Sequence, residues 1–226
     1  MSRLFAIGDI HGCFKPFYKL VVDIIDLKKE DKLILLGDYI DRGPQSREVI
    51  DFIIDLSESG FDVTPLMGNH ESMLLESYSD TGLIYQWYMN SGETTLKSLG
   101  INEVRDLQKK YLDFFSSLEY YLSAGNFLFV HAGFNDHDPD PFADKYYMVW
   151  ESLLSYKNPV LKGKTIIHGH RPKRLDYVEK QIRDKSPVIP IDTGCVYGPE
   201  LGYGYLSALY VNEMRLLSVP YDQYAL

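Results

Sequence analysis

The sequence predicts an α/β fold of two packed mixed β-sheets flanked by helices, and three observations predict it. Short apolar runs alternate with helical periodicity up to residue 66, a helix-rich aromatic stretch follows, and further apolar runs return after residue 119. Leu4 to Ile7, Leu33 to Leu36 and Val63 to Leu66 are runs of strand length, each ending at a polar turn that contains glycine. Between them, Phe17, Leu20, Val21 and Ile24 recur at helical spacing and predict a helix over Phe14 to Leu27. Val49, Ile50, Ile53 and Leu56 do the same for Ser46 to Leu56. A β-α-β-α-β opening gives parallel strands joined by crossover helices.

From about 71 to 118 the chain reads as a helical insertion, with Tyr85, Trp87, Tyr88 and Met89 ahead of Asn90-Ser91-Gly92. It is expected to cap one edge of the site, within a single domain spanning 1–226. Tyr120 to Ser123, Asn126 to Val130, Thr165 to Ile167, Val188 to Ile191 and Tyr205 to Val211 are the later strands, with Leu216 to Val219 as an edge. Their pairing order does not follow from the pattern. Prolines at 139, 141, 159, 172, 187, 190, 199 and 220 make this half loop-rich.

With 226 residues, 45% of them hydrophobic, the chain buries one substantial core. Its 32 acidic against 23 basic side chains, a formal net charge of -9, give no basic footprint for extended DNA or RNA. Cys13 and Cys195 are too few for a disulfide framework and wrongly spaced for a zinc ribbon, so a reducing compartment is expected. No run approaches the roughly 20 apolar residues of a membrane span, and Met1-Ser2-Arg3-Leu4-Phe5 leads straight into a strand without a secretory leader. The expectation is a cytoplasmic protein with no membrane partner.

In open α/β sheets, ligands sit outside the carboxyl ends of the strands. The loops leaving the expected strands are Gly8-Asp9-Ile10-His11-Gly12, Gly37-Asp38-Tyr39-Ile40-Asp41-Arg42-Gly43-Pro44, Gly68-Asn69-His70-Glu71, His131-Ala132-Gly133 and His168-Gly169-His170. Carboxylates, imidazoles and one amide oxygen suit manganese, iron or zinc, and the absence of cysteine from the set argues against a structural zinc site. Two such ions about 3.5–4 Å apart clamp the attacking and leaving oxygens of an in-line displacement. Asp38 and Asp41 also have an ordinary use as turn or cap residues before the Ser46 helix, and Asn69 as a helix cap. Five motifs in series outweigh those uses.

The order G-D-x-H-G, G-D-x-x-D-R-G, G-N-H-E and then single histidines resembles the metallophosphoesterase superfamily with its calcineurin-like fold. The D-R-G form resembles most the serine/threonine phosphoprotein phosphatases and their bacterial relatives, over Gly8 to about Gly194. The resemblance implies two divalent metal ions, manganese first: Asp9 and His11 on one, Asp38 bridging, and Asn69, His131 and His170 on the other. It implies His70 as general acid oriented by Asp41, Arg42 as the grip on phosphate oxygens, and a metal-bound hydroxide attacking phosphorus directly. His168 is then second to His170, Tyr85, Trp87 and Tyr88 are cap core, and Cys13 is packing. His137 lies in a polar loop and carries no role.

One departure matters. Bacterial relatives carry a second phosphate-gripping arginine in a Trp-x-Arg segment, where this chain has Trp150-Glu151-Ser152. Arg171 replaces it if its side chain turns inward, and otherwise lies at the surface. Asp192-Thr193-Gly194-Cys195-Val196-Tyr197-Gly198 resembles a segment shared by bacterial protein phosphatases and symmetrical diadenosine tetraphosphate hydrolases, and does not separate them. The leading expectation is therefore a phosphomonoesterase acting on phosphoserine or phosphothreonine, with a phosphoprotein or small phosphoester as partner. A symmetrical dinucleoside polyphosphate hydrolase is the alternative, and a catalytically silent phosphate-binding scaffold the third.

Overall fold

The computed structural model describes residues 2–152, 154–198 and 202–221. Strands β1 (Leu4–Ile7), β2 (Lys32–Leu35) and β3 (Asp62–Pro65) are parallel and pair in the order β3-β2-β1. Strand β8 (Tyr205–Tyr210) returns antiparallel along β1 and carries β9 (Arg215–Pro220) at the edge. The second sheet runs β4-β5-β6-β7, over Tyr121–Ala124, Phe127–Val130, Thr165–His168 and Val188–Pro190. Its β4–β5 hairpin is antiparallel and its β5, β6 and β7 are parallel. Both sheets are mixed and flanked by helices, as the sequence predicts.

The alternation of side chains along each strand explains how the sheets stack. Ala6, Ile34 and Leu209 of the first sheet and Phe129, Ile167 and Ile189 of the second form one buried cluster between the sheets. Their neighbours Phe5, Ile7, Leu33 and Leu35 point the other way, into a cluster with the helices. Leu128, Val130 and Ile166 line the outer face of the second sheet with Phe134, Met148 and Leu161.

Helix α2 (Ser46–Glu58) buries Val49, Ile50, Ile53 and Leu56, the four expected positions. The first helix departs from expectation. It is α-helical over α1 (Phe14–Tyr18) and continues as a π-helix over Lys19–Ile24. Its wider turn brings Ile25 N–H to Leu20 O at 2.8 Å, an i to i−5 bond. Ile25 is therefore 2% exposed and Ile24 is 45% exposed, the reverse of what a regular 3.6-residue period predicts. Between β3 and β4 the chain forms α3 (Asn69–Ser79), α4 (Ile84–Met89), α5 (Gly92–Leu99) and α6 (Lys109–Ser116). Helices α7 (Lys145–Trp150) and α8 (Leu175–Arg183) lie in the second half. Among the described residues, no helix is long and apolar enough to cross a membrane.

Candidate metal and phosphate site

The loops leaving β1, β2, β3, β5 and β6 meet at the carboxyl edge of the parallel strands, and their backbone is shaped for the meeting. Nine non-glycine residues among those described have left-handed φ, and five of them are His11, Asp38, Asp41, Arg42 and His170. That conformation costs roughly 1–2 kcal/mol per L-residue, and its concentration in one place marks a site over-determined by its surroundings. A Cβ at Gly169 would stand 2.1 Å from Asp9 Oδ1, so the His168-Gly169-His170 turn requires glycine to approach Asp9.

Two groups of donors form. His11, Asp38 and His70 offer ligand atoms within 4.8 Å of one another, and so do Asp38, His131 and His170. Asp38 belongs to both, with Oδ2 3.4 Å from His11 Nε2 and Oδ1 3.5 Å from His131 Nε2. His11 Nδ1–H donates to Ile40 O at 2.8 Å and His131 Nδ1–H to Leu36 O at 2.8 Å, which turns each Nε2 lone pair toward the centre. Asn69, at the start of α3, sets Oδ1 3.0 Å from His131 Nε2 and 3.1 Å from His170 Nδ1. Asp9 stands outside both compact groups, its two oxygens accepting the His170 N–H at 3.0 and 3.1 Å. His70, read from sequence as free of metal, offers a donor atom to the first group.

The electrostatics call for cations. Burial and the neighbouring Asp192 and Asp38 push Asp9 well above the ordinary carboxylate value, and burial pushes Asp192 up to about 7. Burial opposes the charge on Asp38 as well, but His131, His70, His11 and His170 around it hold its carboxyl below the ordinary value. Burial lowers His11, His131 and His170, the direction that favours the neutral imidazole a metal ligand needs. Lone pairs that converge at 3.0 Å beside crowded carboxylates suit a divalent ion between them.

His70 is fully buried, and its Nδ1–H donates to Asp41 Oδ2 at 2.6 Å. Its Nε2 has no hydrogen-bond partner among the described residues and lies 3.9 Å from Asp38 Oδ2. Burial would lower His70, but Asp38 and Asp41 outweigh it and raise it above the ordinary histidine value. Arg42 Nη1 donates to His11 Nε2, and the guanidinium stands over the Tyr197 ring at 5.7 Å.

Several residues of the site were given no role by sequence reasoning. Trp87, expected as cap core, is buried and also donates Nε1–H to Asp41 Oδ2 at 2.8 Å, while Thr95 Oγ1–H donates to Asp41 Oδ1 at 2.6 Å. Gly92 is needed beside them, because a Cβ there would meet the Trp87 indole at 2.4 Å. Glu71 accepts N–H bonds from Gly68, Asp38, Tyr39 and Ile40, tying two loops to one carboxylate. Its place in Gly-Asn-His-Glu was visible, and Asp192 had its Asp-Thr-Gly setting, but nothing in the sequence showed their partners. His168 Nδ1–H donates to Gly169 O and the residue falls in neither donor group. Arg171 is exposed, and Cys13 and Cys195 are buried free thiols.

The model of the family described as calcineurin-like phosphoesterase matches residues 2–197. A relative from Geobacillus sp. (strain WCH70), named bis(5'-nucleosyl)-tetraphosphatase PrpE [asymmetrical], is 28% identical across 96% of this chain and 94% of its own. Serine/threonine-protein phosphatase 1 of Salmonella typhimurium is 27% identical across 88% and 89%. A crystal structure provisionally named a diadenosine tetraphosphatase superposes with a TM-score of 0.68 at 20% identity, covering 98% of this chain and 95% of that one, a likeness of fold.

Proposed function

The chain belongs to the calcineurin-like phosphoesterase family, and from that membership we propose that it is a two-metal hydrolase of dinucleoside polyphosphates that cuts the tetraphosphate bridge off-centre. The full-length likeness to asymmetrical bis(5'-nucleosyl)-tetraphosphatases supports this substrate over a phosphoprotein. It moves the preference from the phosphoserine and phosphothreonine reading, ranked first on sequence, to the dinucleotide, and from the symmetrical mode to the asymmetrical one. The Salmonella phosphatase, almost as similar, supports the phosphomonoester reading as the second.

Asp9, His11 and Asp38 are our candidates to hold one ion, and Asp38, Asn69, His131 and His170 the other, with manganese ahead of iron or zinc for such oxygen and nitrogen donors. Bound there, the ions supply Lewis acidity to phosphate and acidity to water. Arg42 offers a planar fork of donors to the phosphate oxygens. Asp41 fixes the Nδ1–H of His70 at 2.6 Å, so a second proton rides on the inward Nε2 and passes to the departing oxygen. Trp87 and Thr95 hold Asp41 from above, which supports reading 71–118 as a cap within one domain.

The test is turnover of manganese-loaded protein on diadenosine tetraphosphate and on a phosphoserine peptide, with products separated by chromatography. AMP and ATP in equal amounts are expected. Two ADP per substrate would mean symmetrical cleavage, and clear preference for the peptide would restore the protein phosphatase reading. Failure on an activated aryl phosphate as well would point to the silent scaffold.

A further inference from the structure

A cavity of about 280 Å³ opens beside the centre, between the segment after α7 and the β6–α8 connection. Ser152 and Leu154 form one wall, and His168, Arg171, Lys173 and Tyr177 contribute to the rest. Arg171 directly follows the candidate donor His170, and its N–H closes a tight turn onto Gly169 O at 2.9 Å. The cationic wall therefore shares a turn with the centre.

The chain carries a net charge of -9, yet among the described residues no acidic side chain lines this cavity and two cations do. Such a lining favours an anion. Lys173 Nζ lies 5.9 Å from the centre of the Tyr177 ring, so charge and aromatic surface are adjacent. Ser152 Oγ is buried with no hydrogen-bond partner among the described residues, a polar atom that a ligand oxygen would satisfy. A nucleotide, which joins an anion to a flat ring and hydroxyls, fits that lining.

Resting on the dinucleotide reading, we propose that this cavity seats the nucleotide end of the substrate that is not being cut. Arg171 and Lys173 take the non-reacting phosphates, Tyr177 and Leu154 the base, and Ser152 Oγ an oxygen of the ribose or phosphate. The volume lies near the lower end of the roughly 300–1,000 Å³ usual for ligand sites, the size class of a single small ligand. Seating a single end sets the register of the bridge over the centre and makes its cleavage off-centre.

The decisive measurement is an equilibrium titration of the full chain with ADP in the presence of chelator, which reads binding without turnover. Wild type is expected to bind ADP, and Lys173→Ala and Arg171→Ala each to weaken it about tenfold through loss of a charge-assisted hydrogen bond. Tyr177→Ala is expected to weaken it several-fold and Tyr177→Phe to restore it, with thermal melts confirming that each variant is folded. Absence of ADP binding, or a dissociation constant indifferent to all of these changes, overturns the assignment. In a second arm, the ratio of kcat/KM for diadenosine tetraphosphate to that for para-nitrophenyl phosphate should fall about tenfold in Lys173→Ala, mainly through KM. A wild type that binds ADP through these residues but leaves the dinucleotide intact overturns the tetraphosphatase reading and upholds the cavity as a nucleotide site. One that cleaves the dinucleotide with an unchanged ratio in Lys173→Ala does the reverse.

Discussion

His70 presents a nitrogen that is buried, aimed at Asp38 and without a hydrogen-bond partner among the described residues, while its other nitrogen is committed to Asp41. Asparagine at position 70 keeps a short polar side chain but has no ring to carry the proton. His70→Asn is expected to retain both metals by elemental analysis and to lower kcat by roughly 10²–10⁴, the usual span for a general acid. Metal loss in that variant would make His70 a ligand beside His11, as their shared donor group permits. Residues announced by local motifs, such as Asp38, Asn69 and His131, were legible because glycine and ligand types fall together at strand ends. Trp87 and Thr95 were not, since they reach Asp41 from 46 and 54 positions away, and only the folded chain makes that contact.

Among the elements, the strands were readable within about one residue of their observed bounds, because short, largely apolar runs between polar turns have few other uses. The pairing order was not, because β8 comes to β1 from some 200 positions away and no local pattern encodes that partner. The π-helix is the instructive miss. Both Ile24 and Ile25 are apolar, and a regular period chooses the first, whereas packing against the first sheet selects the second. Ile25→Ala should therefore cost about 2–5 kcal/mol by urea unfolding, the range for a truncated core isoleucine, and Ile24→Ala less than about 0.5 kcal/mol, as for exposed positions. Equal effects would mean that the helix runs in regular register.

For the whole molecule, ions that bind the native state and not the unfolded chain add stability by mass action. Free manganese at about 100 times its dissociation constant is expected to add roughly 2.7 kcal/mol, and chelation to lower the melting temperature accordingly, read by calorimetry with and without EDTA. An unchanged melting temperature would mean that the donors do not retain the metal. Asp9, Asp38 and Asn69 hang from the first sheet, whereas His131 and His170 hang from the second. The bond from the His170 N–H to Asp9 spans 161 positions of sequence. On a ribosome, then, Asp9 emerges some 160 residues ahead of the backbone N–H it accepts from, and the centre is complete only after β6 has left the exit tunnel and docked.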